Sequence, residues 1–319
     1  MEYFLIYFLL INFSFICISF CYMHFSYRRD IINNLLGFFS IAFVLFHISI
    51  FLFLMNQDIE LQLFHVPLWI IILGIPLMVI GFLIVISTII GYFYNNIFSN
   101  DLSSFKSKFL RKRVKWSKAK QDTIRKLNHV LIFAVLLTVW CVGLLVVNYY
   151  TGTSTGMIPD ETNMGLLYFT IMREPDLILF GLFSLGWFYY VIFFFFYILS
   201  LFMLANEFTR KSRFFSFPFN IFPKLYLSKE EKKNYGTYLY FGIGHMFASF
   251  VCSPMVFFAI LGISSISDLM ASQVGIRFGK RHIPWNQVKT WEGSIAGTIT
   301  TFFISFFFLG IYWALIFSI

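Results

Sequence analysis

The sequence predicts an all-α, polytopic membrane protein with about eight transmembrane helices. Three observations carry that expectation. Only 12% of the residues are charged and 59% are hydrophobic, where a soluble domain carries about 25% charged residues. The apolar residues fall in blocks of the length that crosses hydrocarbon, roughly 20 residues for about 30 Å, and the mean hydropathy of the chain is +0.78. The basic residues collect in alternate gaps between those blocks, as the positive-inside tendency requires.

The candidate spans are 3–25, 33–55, 66–94, 128–150, 177–206, 237–252, 254–275 and 298–318. The first has no basic residue before it and no small-residue cleavage site after it, the pattern of a retained span rather than a signal peptide. His24, His47 and His65 stand singly in or beside the first three, where an isolated imidazole is expected to pack or to sit at an interface. The fourth opens with Arg125-Lys126-x-x-His129, and Asp122, Arg125, Lys126 and His129 share one helical face by their spacing. The fifth is dense in Phe and Tyr and ends at Asn206-Glu207. The sixth is short, so it is expected to be tilted, broken or partly re-entrant. The last three carry glycine spacings that let helices approach closely: Gly242 with Gly244, Gly275-xxx-Gly279 and Gly293-xxx-Gly297. His245 is expected to pack. Cys17, Cys21, Cys141 and Cys252 lie in apolar runs without metal-like spacing and read as packing residues.

The gaps 26–32, 95–127, 207–236 and 276–297 hold all of the 24 Lys and Arg except Arg173, whereas 56–65 and 151–176 carry Asp58, Glu60, Asp160, Glu161, Glu174 and Asp176. The basic side is expected to be cytoplasmic, with both termini on the other side. The net charge of +9 is thus a topology signal and a bias toward anionic headgroups, and it implies no nucleic-acid partner. Residues 103–120 hold eight basic residues interleaved with Phe105, Phe109 and Trp116 on one face, which is either an interfacial amphipathic helix or a solvated topology loop. Residues 210–233 mix basic residues with FFSFPFNIFP, where Pro218 and Pro223 forbid one long helix.

The densest chemistry lies in 264–297, SSISDLMASQVGIRFGKRHIPWNQVKTWEGSIAG. An acid at bilayer depth costs about 2.5–3.5 kcal/mol on insertion scales and is usually kept for function; here that acid is Asp268. On a regular helix Ser264, Ser265, Ser272 and Gly275 share its face. The stretch leaves the membrane through Arg277, Lys280, Arg281 and Lys289, cations suited to phosphate oxygens.

The pattern Asp268-x-x-Ala271-x-x-x-Gly275-x-x-Phe278-Gly279-Lys280, followed by Lys289-Thr290-x-Glu292-Gly293-Ser294, resembles the superfamily of CTP-dependent lipid kinases and phosphatidate cytidylyltransferases, which includes dolichol, polyprenol and phytol kinases. The resemblance covers about a tenth of the chain. Arg125-Lys126-x-x-His129 is similar to the polyprenol and phytol kinase branch, and Glu207 looks like the acid those kinases place after the corresponding span. Ser267 departs from the Gly common before the Asp. Gln287-Val288 stands where cytidylyltransferases often have Ser-Pro, a difference that favours the kinase branch.

The resemblance implies one integral membrane domain over 1–319, with 1–94 as scaffold spans and 95–319 as the lipid-kinase-like region. It implies an enzyme that phosphorylates a long-chain isoprenoid alcohol from CTP at the cytoplasmic face, with Mg²⁺ as cofactor and the bilayer as its surroundings. In that reading Asp268 and Glu292 hold the metal, with Glu292 alternatively the base. Arg125, Lys126, Arg277, Lys280 and Lys289 neutralise phosphates, Gly275, Gly279, Thr290, Gly293 and Ser294 form the nucleotide turn, and His129 takes or orients the hydroxyl. A cytidylyltransferase making a CDP-activated lipid is the alternative. A transporter or non-catalytic membrane protein is the third reading, but it leads one to expect acids in several spans or an internal repeat, and neither is evident.

Overall fold

A computed structural model of the chain describes residues 2–27, 31–55, 59–97, 118–151, 192–209, 236–252 and 254–318. Among the described residues the helices are α1 (Glu2–Tyr27), α2 (Ile31–Met55), α3 (Ile59–Ile97), α4 (Lys118–Thr151), α5 (Phe194–Thr209), α6 (Thr237–Val251), α7 (Pro254–Phe278), α8 (Trp291–Leu309) and α9 (Ile311–Ser318). Between α7 and α8 lies an antiparallel hairpin of β1 (His282–Ile283) and β2 (Asn286–Thr290). The amphipathic candidate at 103–117 and the segments 152–191 and 210–235 lie outside the described residues.

The protein is an all-α, multi-pass membrane protein: six helical stretches, Ile6–Phe25, Ile31–Ile50, Ile70–Ile90, Asp122–Val142, Pro254–Phe278 and Trp291–Leu309, are long and apolar enough to cross a bilayer. The fifth expected span begins outside the described residues, and its described part is the shorter apolar stretch Phe194–Phe208. The sixth, α6, has 15 residues, or about 22 Å at 1.5 Å per residue, too short to cross alone. The eighth differs from expectation at both ends. Helix α8 starts at Trp291 because Thr290 caps it, and it stops at Gly310, whose φ of +80° breaks the rod before α9. Apolar run length registers neither the cap nor the break.

Chain contacts divide the protein into two compact units. The first comprises Met1–Phe105 with Tyr190–Phe250, and the second Lys106–Tyr189 with Val251–Ile319. Helices α5 and α6 therefore group with α1 to α3, although the sequence places them in the 95–319 region. In the first unit Asn12 on α1 donates to Leu73 O of α3 at 3.1 Å and accepts from Tyr197 Oη of α5 at 2.6 Å. Such a bond ties helices where no hydrophobic effect drives them together. A Cβ on Gly242 would lie 3.3 Å from Ser200 Oγ, so the glycine on α6 sets its approach to α5. His245 is buried, with Nδ1 2.7 Å from Phe241 O and its ring stacked on Phe196 at 5.4 Å; it packs, as its setting suggested.

In the second unit α7 is the central helix, packed by α4 and α8. Phe258 of α7 sits between Trp140 of α4, at 4.9 Å, and Phe308 of α8, stacked at 6.2 Å. A Cβ on Gly262 would meet Ile304 Cγ2 at 2.9 Å and Phe133 at 3.3 Å. Below this apolar layer the residues Ile263–Ser267 form a π turn, in which the Asp268 N–H reaches back to Ile263 O. A π turn inserts an extra residue, often at a functional site.

Candidate functional site

The site is assembled within the second unit from α4, α7, the hairpin and the start of α8. The π turn decides what the serines before Asp268 do. A regular helix would carry Ser264 and Ser265 down the same face as Asp268, but the inserted residue breaks that stripe. Ser265 and Ser267 are buried and the Asp268 side chain is 54% exposed. The hydroxyls of Ser265 and Ser267 have no hydrogen-bond partner among the described residues, while Ser264 Oγ donates to Leu261 O at 3.0 Å.

Asp268 is met by Lys126. The ammonium lies 2.8 Å from Asp268 Oδ2 and donates at 2.8 Å to the Asp268 carbonyl oxygen. One turn earlier on α4, Asp122 Oδ2 stands 4.0 Å from the same ammonium. It also accepts from Ser272 Oγ, and from Gln273 Nε2 at 3.5 Å. Lys126 is only 7% exposed. An ammonium so far from water is costly unless it is paired and hydrogen-bonded, and two carboxylates from different helices supply the pairing. Gln273 also donates to Ala119 O at 3.4 Å, so α4 and α7 are laced together over two turns.

Beside this cluster α4 and α7 border a cavity of about 330 Å³ lined by Thr123, Leu269, Met270, Gln273, Val274, Arg277 and Phe278. Its lining is apolar along α7, with Thr123 and Gln273 next to the carboxylates and Arg277 toward the hairpin.

The crossing of α7 and α8 explains most of the glycines. A Cβ on Gly293 would lie 2.6 Å from Ala271 O and 3.0 Å from Gly275 Cα, and one on Gly279 would lie 2.3 Å from Gly275 O. Gly275 faces Thr290 Oγ1 and Gly297 faces the Ala271 methyl, each within about 3.1 Å of an added Cβ. Thr290 is buried and caps α8: its hydroxyl accepts from Gly293 N at 3.3 Å. Glu292, in the first turn of α8, turns both oxygens to the Arg281 N–H, at 3.3 and 3.4 Å. It holds the hairpin's first strand to the helix start, where the dipole favours an anion.

Of the expected site residues, Lys126 and Asp268 are in contact. Gly275, Gly279, Thr290 and Gly293 form the crossing. Arg277, Lys280 and Lys289 are exposed around the hairpin, and Ser294 is half-buried in the first turn of α8. His129 is half-buried one turn further into α4. The Arg125 side chain lies outside the described residues. Glu207, in the first unit, is fully buried and accepts from Gly236 N at 3.1 Å and from Tyr238 Oη, so it caps the start of α6. Among the described residues no group of three or more His, Cys, Asp or Glu is placed to hold a metal.

The sequence reading missed the part played by Asp122 and Gln273. Asp122 stands one turn before Lys126 and was legible as its partner; Gln273 follows Ser272 and carried no signal of its own. No family model matches the chain, and no curated protein or solved structure matches it.

Proposed function

We propose that this protein is a CTP-dependent kinase that phosphorylates a long-chain isoprenoid alcohol at the cytoplasmic face of its membrane. The observation that supports this most is the arrangement along α7. Asp268, paired with Lys126, lies within α7, a helix long and apolar enough to cross a bilayer; Arg277 follows it by about 14 Å along that helix, and Lys280 and Lys289 lie in the hairpin beyond the helix end. A lipid hydroxyl and a water-borne triphosphate approach from those two directions. The cavity between α4 and α7 suits the acceptor, since apolar Leu269, Met270, Val274 and Phe278 would flank the chain near its hydroxyl and Gln273 would face the polar end.

In the reaction the alcohol oxygen attacks the γ-phosphorus, the bond from that phosphorus to the β,γ-bridging oxygen breaks, and CDP departs with the bonding pair. Most of the rate in such transfers comes from positioning and charge neutralisation. Lys280, Lys289 and Arg277 would bear on the phosphate oxygens, and His129 would take or orient the hydroxyl proton. Mg²⁺ is usually bound by one or two carboxylates together with substrate phosphates and waters. The open face of Asp268 fits that role, because Lys126 engages its Oδ2 and leaves much of the carboxylate exposed. When bound, Mg²⁺ would supply further neutralisation of the phosphates.

The test is purified protein given CTP labelled at either the α or the γ phosphate, with lipid alcohols and lipid phosphates offered separately. Label from the γ phosphate in a lipid alcohol supports the kinase. Label from the α phosphate in a lipid phosphate, with release of pyrophosphate, would assign the cytidylyltransferase reaction instead.

A further inference from the structure

The hairpin between α7 and α8 carries an outward apolar surface that the packing of those two helices does not use. It is short: β2 has five residues, so its tip lies within about 16 Å of the two helix ends. Both α7 and α8 are long and apolar enough to span the bilayer, so a hairpin joining their ends is held at the membrane surface. A two-stranded ribbon is marginally stable alone, and this one buries only Ile283 and Thr290. Its apolar side chains point outward instead. Trp285 is 81% exposed and Val288 86% exposed, with Phe278 and Trp291 exposed at its base. Trp285 meets Trp291 edge to face at 6.1 Å, so the tip and the base present one aromatic surface.

The charges around that surface have one sign. Over 277–292 the chain carries Arg277, Lys280, Arg281 and Lys289 against the single carboxylate Glu292, and that carboxylate is turned to the Arg281 N–H. Trp at the depth of the headgroups is the aromatic belt of membrane proteins. Clustered cations at that depth draw anionic lipid. We infer that the hairpin is an anchor for anionic lipid headgroups: Trp285 and Val288 enter the headgroup layer while Arg281 takes a lipid phosphate. This goes beyond the kinase proposal and does not depend on it, because the anchor follows from exposure, charge and position at the surface whatever reaction the protein performs.

The experiment uses full-length protein in vesicles of phosphatidylcholine with or without phosphatidylglycerol. Trp285 fluorescence is isolated as the difference between wild type and Trp285→Phe. With phosphatidylglycerol present, doxyl groups placed near the headgroups should quench that signal several-fold more strongly than aqueous acrylamide does. Replacing phosphatidylglycerol with phosphatidylcholine, raising the salt, or introducing Arg281→Gln should each reduce the doxyl quenching several-fold, since exposed charge contacts are screened. A nitroxide on Val288→Cys gives a second reading that leaves Trp285 in place: relaxation by oxygen should exceed relaxation by a water-soluble nickel chelate. Quenching of Trp285 by acrylamide rather than doxyl lipid, or by neither, would overturn the anchor. Doxyl quenching that does not respond to phosphatidylglycerol, salt or Arg281→Gln would overturn its anionic partner.

Discussion

Replacing Gly293 by Ala separates the packing role of the motif from a chemical one. The added Cβ would lie 2.6 Å from Ala271 O and 3.0 Å from Gly275 Cα, both backbone atoms, where ordinary contact begins near 3.4 Å. No rotamer change relieves a clash with backbone, so α8 must withdraw from α7 by about 0.8 Å at this point. Overpacking of that kind costs about 1–3 kcal/mol, which outweighs the gain in helix propensity of at most about 1 kcal/mol. With the full propensity gain the expected net loss is up to about 2 kcal/mol. Gly297→Ala meets only the Ala271 methyl, at 3.0 Å, and Gly244→Ala meets nothing within 4 Å. The three should therefore rank in that order of damage when unfolding is followed by circular dichroism in mixed micelles. Ala271→Gly adds a sharper comparison. It should restore Gly297→Ala, by removing the opposing methyl, and should leave Gly293→Ala as damaged as before, because the opposing atom there is the carbonyl oxygen. Wild-type stability in Gly293→Ala, with only nucleotide use impaired, would refute the packing argument and give the glycine to the ligand.

Two further substitutions probe the polar cluster. Asp268→Asn removes the close charged partner of the buried Lys126 ammonium and leaves it Asp122 at 4.0 Å, so it should cost about 1–3 kcal/mol, while γ-phosphate transfer and its dependence on Mg²⁺ concentration fall steeply; full transfer by this variant would remove Asp268 from the site. Lys126→Met removes the cation beside Asp122, which is 13% exposed and keeps its bonds from Ser272 and Gln273, and should cost about 1–3 kcal/mol; adding Asp122→Asn should return part of that loss in a double-mutant cycle, and simple additivity would show that the two residues are not coupled.

Much of this structure was legible because bilayer physics acts on composition. The long apolar runs at 3–25, 33–55, 66–94 and 254–275 correspond to helices that match them closely, since a backbone in hydrocarbon must satisfy its own hydrogen bonds. What the runs do not encode is where a helix starts for a local reason. Thr290 begins α8 among Trp291, Glu292 and Gly293 because a hydroxyl takes the Gly293 N–H, and hydropathy ranks that turn as a loop. The π turn at Ile263–Ser267 was hidden for a related reason: residue spacing assumes 3.6 residues per turn, and an inserted residue leaves no mark in composition. Even spacing therefore puts Ser264, Ser265 and Ser272 on one stripe, although Ser264 and Ser265 lie within the turn and Ser272 beyond it.

The same limit applies to the motif that carries the functional reading. A spacing such as Asp268-x-x-Ala271-x-x-x-Gly275, continued by Gly279 and Gly293, arises equally from helices that must cross closely and from a turn that must hold phosphates, because both demand small residues. The geometry divides the set. Gly275, Gly279, Gly293 and Thr290 are taken up by the crossing and the cap, and Glu292 by the Arg281 backbone. Asp268, Arg277, Lys280 and Lys289 remain as exposed charged side chains, together with Arg281. The crossing is then the device that fixes Asp268 and Arg277 on α7 relative to the hairpin that carries Lys280 and Lys289. In the proposed chemistry Asp268, Arg277, Lys280 and Lys289 carry the charge, and the glycines act by fixing the distance between them.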